Sequence, residues 1–280
     1  MSTSLDSQPG QLFILELQSA KWSARVESLL RSIQPAGVVV PLDTVRTESY
    51  LRDTAKGISS VLKGAPMVGL AGPHTSAIES VLSATSDGAS PIFDSELKRR
   101  AEASGKWLGM VLRAFGHNVD FSLWLDLANP GPRLALGTRT PDRDPQLVAK
   151  CAGAYIRGLR TKHVVACARD FPGIGSVELD QEFGGLLSSK SMAALWQEDL
   201  VPYRKLLSQL PLVMISHAAY KAYDFDVPRP AVWSYEVVTG LLRVKLGYKG
   251  VAVADLSKLA WAPSDTDIGK AAFKDRKSVV

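Results

Sequence analysis

Cysteine is scarce in this chain: its 280 residues contain two, Cys151 and Cys167, in neither a CxxC nor a Cys/His ligand spacing. That excludes a disulfide framework or a structural zinc as the basis of the fold, and a reducing compartment fits. Long apolar runs are missing too, since no stretch approaches the roughly 18 to 20 residues that a membrane span requires. The opening MSTSLDSQPG lacks a charged-then-apolar signal pattern, so a cytoplasmic location is expected. There is no dense basic block. Lys and Arg total 33 against 28 Asp and Glu, and the net charge of +5 is spread along the chain, which does not indicate nucleic-acid binding. The small clusters Lys98, Arg99, Arg100 and Lys274, Arg276, Lys277 read as solvated helix faces or a tail. No Pro/Gly/Ser-rich linker divides the sequence. A single domain over residues 1–280 is expected, with 1–10 and 264–280 as flexible tails.

What the chain has is a hydrophobic content of 46% with 22% charged residues, the composition of a globular protein able to bury a large core. Short apolar, β-rich runs alternate with longer amphipathic stretches, the pattern of a parallel sheet wrapped by helices. Strands are expected at 12–17, 37–42, 66–70, 121–127, 163–168, 212–216 and 250–254. Helices are expected at 24–33, 48–62, 95–115, 145–159, 192–207 and 235–245, with apolar residues at three- and four-residue steps. Gly116 and Gly247 stand where helix ends need positive φ. The length suits one (β/α) barrel, which takes about 250 residues.

Barrel chemistry collects at the C-terminal ends of the strands. The polar residues just past each expected strand are Asp43, His74, Asp126 with Asn129, Arg169 with Asp170, His217, and Asp255. Asp255 closes the apolar run GVAVAD, and an acid at the exit of a buried strand costs desolvation unless a partner or chemistry uses it. Residues 169–184, RDFPGIGSVELDQEFG, form a glycine-bracketed turn followed by a loop bearing Glu178, Asp180 and Glu182. A mobile loop there would suit a general acid that approaches and leaves a substrate.

Taken in order, these segments resemble the N-terminal barrel domain of glycoside hydrolase family 3, in particular its single-domain β-N-acetylglucosaminidases. LDLANPGPRLALGTRTPDRDPQLV (125–148) resembles the family's LDV…GxRSFGxDPxLV, and FPGIG resembles FPGHG. VMISHAAYKAYDFDVPRPAVWS (213–234) resembles VMxxHxxYxxxDxxPAxxS, and GLLRVKLGYKGVAVAD (240–255) resembles GLLRxELGFxGLVxSD. The resemblance implies a TIM-type (β/α)8 barrel. It places Asp255 on the aspartate that attacks the anomeric carbon and Asp180 on the aspartate of the mobile Asp-Ser-His dyad, whose histidine is Glu182 here. Arg139 falls on the arginine of GxRSFG and His217 on the sixth-strand histidine, both near the sugar in the family. The sugar-binding Lys-His pair before FPG is Arg169 and Asp170, and the aspartate of the third-strand DQEGG is Ala71, so altered sugar recognition is expected. The resemblance spans about Gln11 to Leu259, and the ending KDRKSVV does not resemble the family's continuation, so the eighth strand is expected to be missing.

The resemblance thus implies retaining hydrolysis of β-glycosides, β-N-acetylglucosaminide or β-glucoside, with Asp255 as nucleophile and Glu182, assisted by Asp180, as acid/base. Two carboxyl groups about 5 to 5.5 Å apart are what that route needs. Arg139, His217, Arg169, Asp170 and Asp126 are the expected substrate contacts. No cofactor and no metal is called for, and the partner is a carbohydrate, with the oligomeric state left open. The alternative is an inactive barrel of the same fold that binds a glycan or a protein.

Overall fold

The computed structural model describes residues 9–19, 21–41, 45–71, 94–127 and 144–255. Seven parallel strands form one curled sheet: β1 (Ile14–Glu16), β2 (Gly37–Pro41), β3 (Met67–Ala71), β4 (Val119–Trp124), β5 (Val165–Phe171), β8 (Leu212–Ile215) and β10 (Val251–Ala254). They pair in chain order, so each crossover carries the chain to the neighbouring strand. All seven expected strands are therefore present. Pairing of β1 with β10, which would close a barrel, does not occur among the described residues.

The central strands β4, β5 and β8 are buried on both faces, the edge strands β1 and β10 less so, and the two faces differ. One side collects Val119, Phe121, Cys167, Leu212, Met214 and Val253, with Ile14, Val39 and Met67 packed against them, so every strand contributes to one inner layer. The opposite side packs Leu123, Ala166, Ala168, Val213, Ile215 and Ala252 against the helices. Cys167 lies in the inner layer at 0% exposure, where burial pushes its thiol well up, as expected of a small apolar filler.

The helices are α1 (Ala24–Ile33), α2 (Glu48–Val61), α3 (Asp94–Ala114), α4 (Pro145–Arg160), α5 (Met192–Gln197) and α6 (Leu200–Leu206), followed by a π-helix (Glu236–Lys245). Ser23 caps α1 by accepting from Val26 N–H, and Asp144 caps α4 by accepting from Gln146 N–H with Pro145 at the first turn. Gly116 and Gly247 adopt φ of +81° and +67°. No helix among the described residues is long and apolar enough to cross a membrane.

The structure corrects the sequence reading in four places. The helix expected at 192–207 is two, broken at Glu198 and Asp199. Pro202 cannot donate within a continuous helix and falls instead in the first turn of α6. The segment after β5 is not an irregular loop: β6 (Glu178–Asp180) turns back antiparallel onto β7 (Gly185–Ser188), which pairs in parallel with β9 (Ala219–Tyr220). The last helix is wound as a π-helix. Pro9 and Gly10 are not tail, because they open a 3-10 turn (Pro9–Leu12) in which Gly10 is buried. The expected C-terminal tail, 264–280, lies outside the described residues.

Candidate functional site

The site lies where β4, β5 and β10 end. Pairing along β5 slips between Asp120 and Leu123 on one side and between Ala168 and Phe171 on the other. Such irregularities re-aim side chains beside functional sites, and here Arg169 and Asp170 fall within the second one. Arg169 is 7% exposed, yet its guanidinium meets three groups. Its Nη2 lies 3.5 Å from Asp255 Oδ2, its Nε 3.8 Å from Asp170 Oδ2, and its plane sits 4.7 Å above the Trp124 ring. The ring and the two carboxylates leave the guanidinium little freedom, so the direction of the Asp255 carboxylate is fixed as well. The Asp255 side chain retains 11% exposure at the strand exit.

Asp170 takes the left-handed region at φ 60° and is wholly buried, a conformation that Asp tolerates better than most residues. Its carbonyl accepts from Gly173 N–H at 2.7 Å, closing the turn that follows β5. Four further contacts tie this turn to distant parts of the chain. Asp126 Oδ1 accepts from Ile174 N–H, Tyr220 OH donates to Gly173 O at 2.8 Å, Tyr203 OH donates to Arg169 O, and Ser216 N–H donates to Phe171 O at 2.8 Å. The backbone beneath Arg169 is thereby held by β4, α6, β8 and β9.

Under the turn lies a buried acidic group of Asp126, Asp170 and Asp199, exposed by 1%, 0% and 1%. Gly173 adopts φ +125°, a region side chains rarely enter, and a Cβ there would lie 3.3 Å from Asp199 Cβ, so glycine suits the turn that passes between the two acids. Burial, then the charges of Asp170 and Asp199, push the Asp126 carboxyl well above the usual range. Asp199 is also raised by burial, although Lys190 Nζ pairs with its Oδ2 at 2.5 Å and opposes the shift.

The structure thus brings Arg169, Asp170 and Asp255 together, with Asp126 buried beneath them. Asp126 and Asp170 lie under the mouth of the site, as supports for the turn. Asp180 and Glu182 lie on the β6–β7 hairpin, where Asp180 Oδ1 accepts from Phe183 N–H at 2.8 Å within its own turn and Glu182 is exposed. His217 is half-buried directly after β8. Arg139, and with it Asp43, His74 and Asn129, lies outside the described residues. No group of three His, Cys, Asp or Glu side chains among the described residues is arranged to hold a metal ion. Sequence reasoning missed Lys190, Asp199, Tyr203 and Tyr220, and the one available signal was Pro202 interrupting a presumed continuous helix just past Asp199.

Comparison with known proteins bears on this geometry. A β-hexosaminidase of Bordetella avium is 36% identical over 156 residues, which are 55% of this chain and 43% of that protein. One from Pseudomonas aeruginosa is 32% identical over 58% of this chain and 48% of that protein. The chain spans about half the length of the curated relatives it matches. Among solved structures, NagZ from Neisseria gonorrhoeae in complex with N-trifluoroacetyl-D-glucosamine superposes with a TM-score of 0.80 at 21% identity, over 93% of this chain and 78% of that one. That likeness shows a shared α/β fold. The family model for the glycosyl hydrolase family 3 N terminal domain matches residues 16–273, and the chain belongs to that family.

Proposed function

We propose that this protein is a glycosidase that hydrolyses β-N-acetylglucosaminides with retention of configuration, and that Asp255 is its nucleophile. The observation that carries the reading is Asp255 itself, a carboxylate at the exit of β10, held toward the mouth of the site by Arg169 at 3.5 Å. The seven parallel strands are read as the first seven of an eight-stranded barrel, whose C-terminal mouth is the sugar site.

In the first step an Asp255 oxygen attacks the anomeric carbon while the glycosidic oxygen leaves with a proton from the Glu182 carboxylic acid, giving a glycosyl ester on Asp255. In the second step the Glu182 carboxylate takes a proton from water. The water oxygen attacks the same carbon, and the Asp255 carboxylate is released. Glu182 stands at the tip of a hairpin, so its approach requires the β6–β7 unit to swing over the site, and Asp180 holds that turn in shape through Phe183 N–H. Arg169, fixed by Trp124, Asp170 and Asp255, directs the nucleophile, with His217 and Arg139 as sugar contacts. An arginine and an aspartate in the place of the family's Lys-His pair point to altered recognition of sugar hydroxyls.

The test is hydrolysis of a chromogenic β-N-acetylglucosaminide by wild type and Asp255→Asn. A loss of about a thousandfold or more is expected when a nucleophile is removed. Equal rates for the two proteins would defeat the proposal, as would labelling of any other carboxylate by a 2-fluoro sugar.

A further inference from the structure

At the end of the sheet opposite Asp255, where β5, β8 and β10 begin, the surface opens into a cleft of about 890 Å³. Ligand clefts run from roughly 300 to 1,000 Å³. The side chains on its wall that can carry positive charge are Arg160, His163, Arg204 and Lys249, and no Asp or Glu lines it.

The ordinary explanation for cations in this position is helix termini. α4 ends at Arg160, the 3-10 turn after α6 (Leu207–Gln209) ends beside the cleft, and so does the π-helix, at Lys245. Each C-terminus carries roughly half a negative charge, so three of them offset about 1.5 of the three permanent cations and leave an excess of about 1.5 before His163 is counted. The peptide carbonyls nearest Lys249 are already served by another residue, since Arg243 Nη1 donates to Tyr248 O at 3.1 Å and to Gly250 O at 2.6 Å. Arg204 donates to Trp196 O and lies 4.3 Å over the Trp196 ring, an arrangement that orients its guanidinium without neutralising it. No ion pair between described residues engages Arg160, Arg204 or Lys249. Apolar surface on the wall comes from the partly exposed Leu207, Pro211 and Leu246.

We infer that this cleft binds an organic anion, a small molecule with an apolar body against Leu207 and Leu246 and a phosphate, sulfate or carboxylate head among Arg160, Arg204 and Lys249. The site is separate from the sugar chemistry at the other end of the strands, so the two stand or fall independently.

Isothermal titration of the full chain with 1-naphthyl phosphate tests it, and one saturable site per chain is expected. The double variant Arg160→Glu, Lys249→Glu changes two exposed side chains and should weaken binding tenfold or more, an effect of about 1.4 kcal/mol or above. Asp255→Asn should leave the affinity unchanged. Inorganic phosphate and neutral 1-naphthol, carrying the head or the body alone, should each bind at least about tenfold more weakly. Should the double reversal not fold, Lys249→Gln alone is expected to weaken binding by a factor of about three. Absence of saturable binding, an affinity unmoved by these variants, or equal binding of naphthol or inorganic phosphate would overturn the inference.

Discussion

Asp126→Asn is expected to stabilise the protein, and by an amount that grows with pH. In the unfolded chain this carboxyl ionises near pH 3.9. In the fold, burial and the neighbouring Asp170 and Asp199 raise it well above that, so the folded protein keeps a proton that the unfolded chain has released. A group raised in this sense stabilises fully below its unfolded pKa, and that stability is lost as pH climbs toward the folded value. The loss runs at about 1.4 kcal/mol per pH unit inside this window. Asparagine matches the shape of the protonated acid and keeps the Oδ1 acceptor for Ile174 N–H. Its amide carries no charge to repel the carboxylates of Asp170 and Asp199. The variant should equal wild type to within about 1 kcal/mol near pH 4 and gain on it as pH rises, by at most about 1.4 kcal/mol per pH unit. Urea unfolding followed by tryptophan fluorescence at pH 4, 5, 6 and 7 reads the difference directly. A pH-independent destabilisation of about 2 kcal/mol or more would refute the reasoning, because it would mean that Asp126 is ionised in the fold and serves as a charge.

Three other perturbations have defined outcomes. Lys190→Met leaves Asp199, 1% exposed, without the cation at 2.5 Å, and should cost about 3 to 5 kcal/mol, most of it regained in Lys190→Met, Asp199→Asn; a double variant no more stable than the single one would contradict the pairing. His117 is fully buried, and burial lowers it from 6.5 to about 4, so stability should fall by about 3 kcal/mol as pH drops from about 6.5 to about 4. His117→Leu should flatten that acid limb in a urea series, and an unchanged slope would show that the ring is not its source. A Cβ at Gly158 would sit 2.3 Å from Glu102 O and 2.7 Å from Lys106 N, so Gly158→Ala must push α3 and α4 apart. Despite the better helix propensity of alanine, a net loss of about 1 to 3 kcal/mol is expected in thermal melts.

The sequence by itself determined the sheet: seven apolar runs separated by amphipathic stretches leave few ways to bury the central strands on both faces, and parallel pairing in chain order is the one found. It determined Asp255 as the acid at a strand exit and the glycine-bracketed turn after β5, because these are local signals of residue type and spacing. The tertiary structure alone decided what Asp255 touches, since Arg169, 86 positions away, reaches it only after two strand registers slip. It also decided that residues 178–188 pair as a hairpin, that 192–207 breaks so that Asp199 turns inward toward Lys190, and that Asp126 lies beneath the site. These depend on burial and on charge across elements distant in the chain, and hydrophobic periodicity, which reports only which face of an element is apolar, carries no record of them.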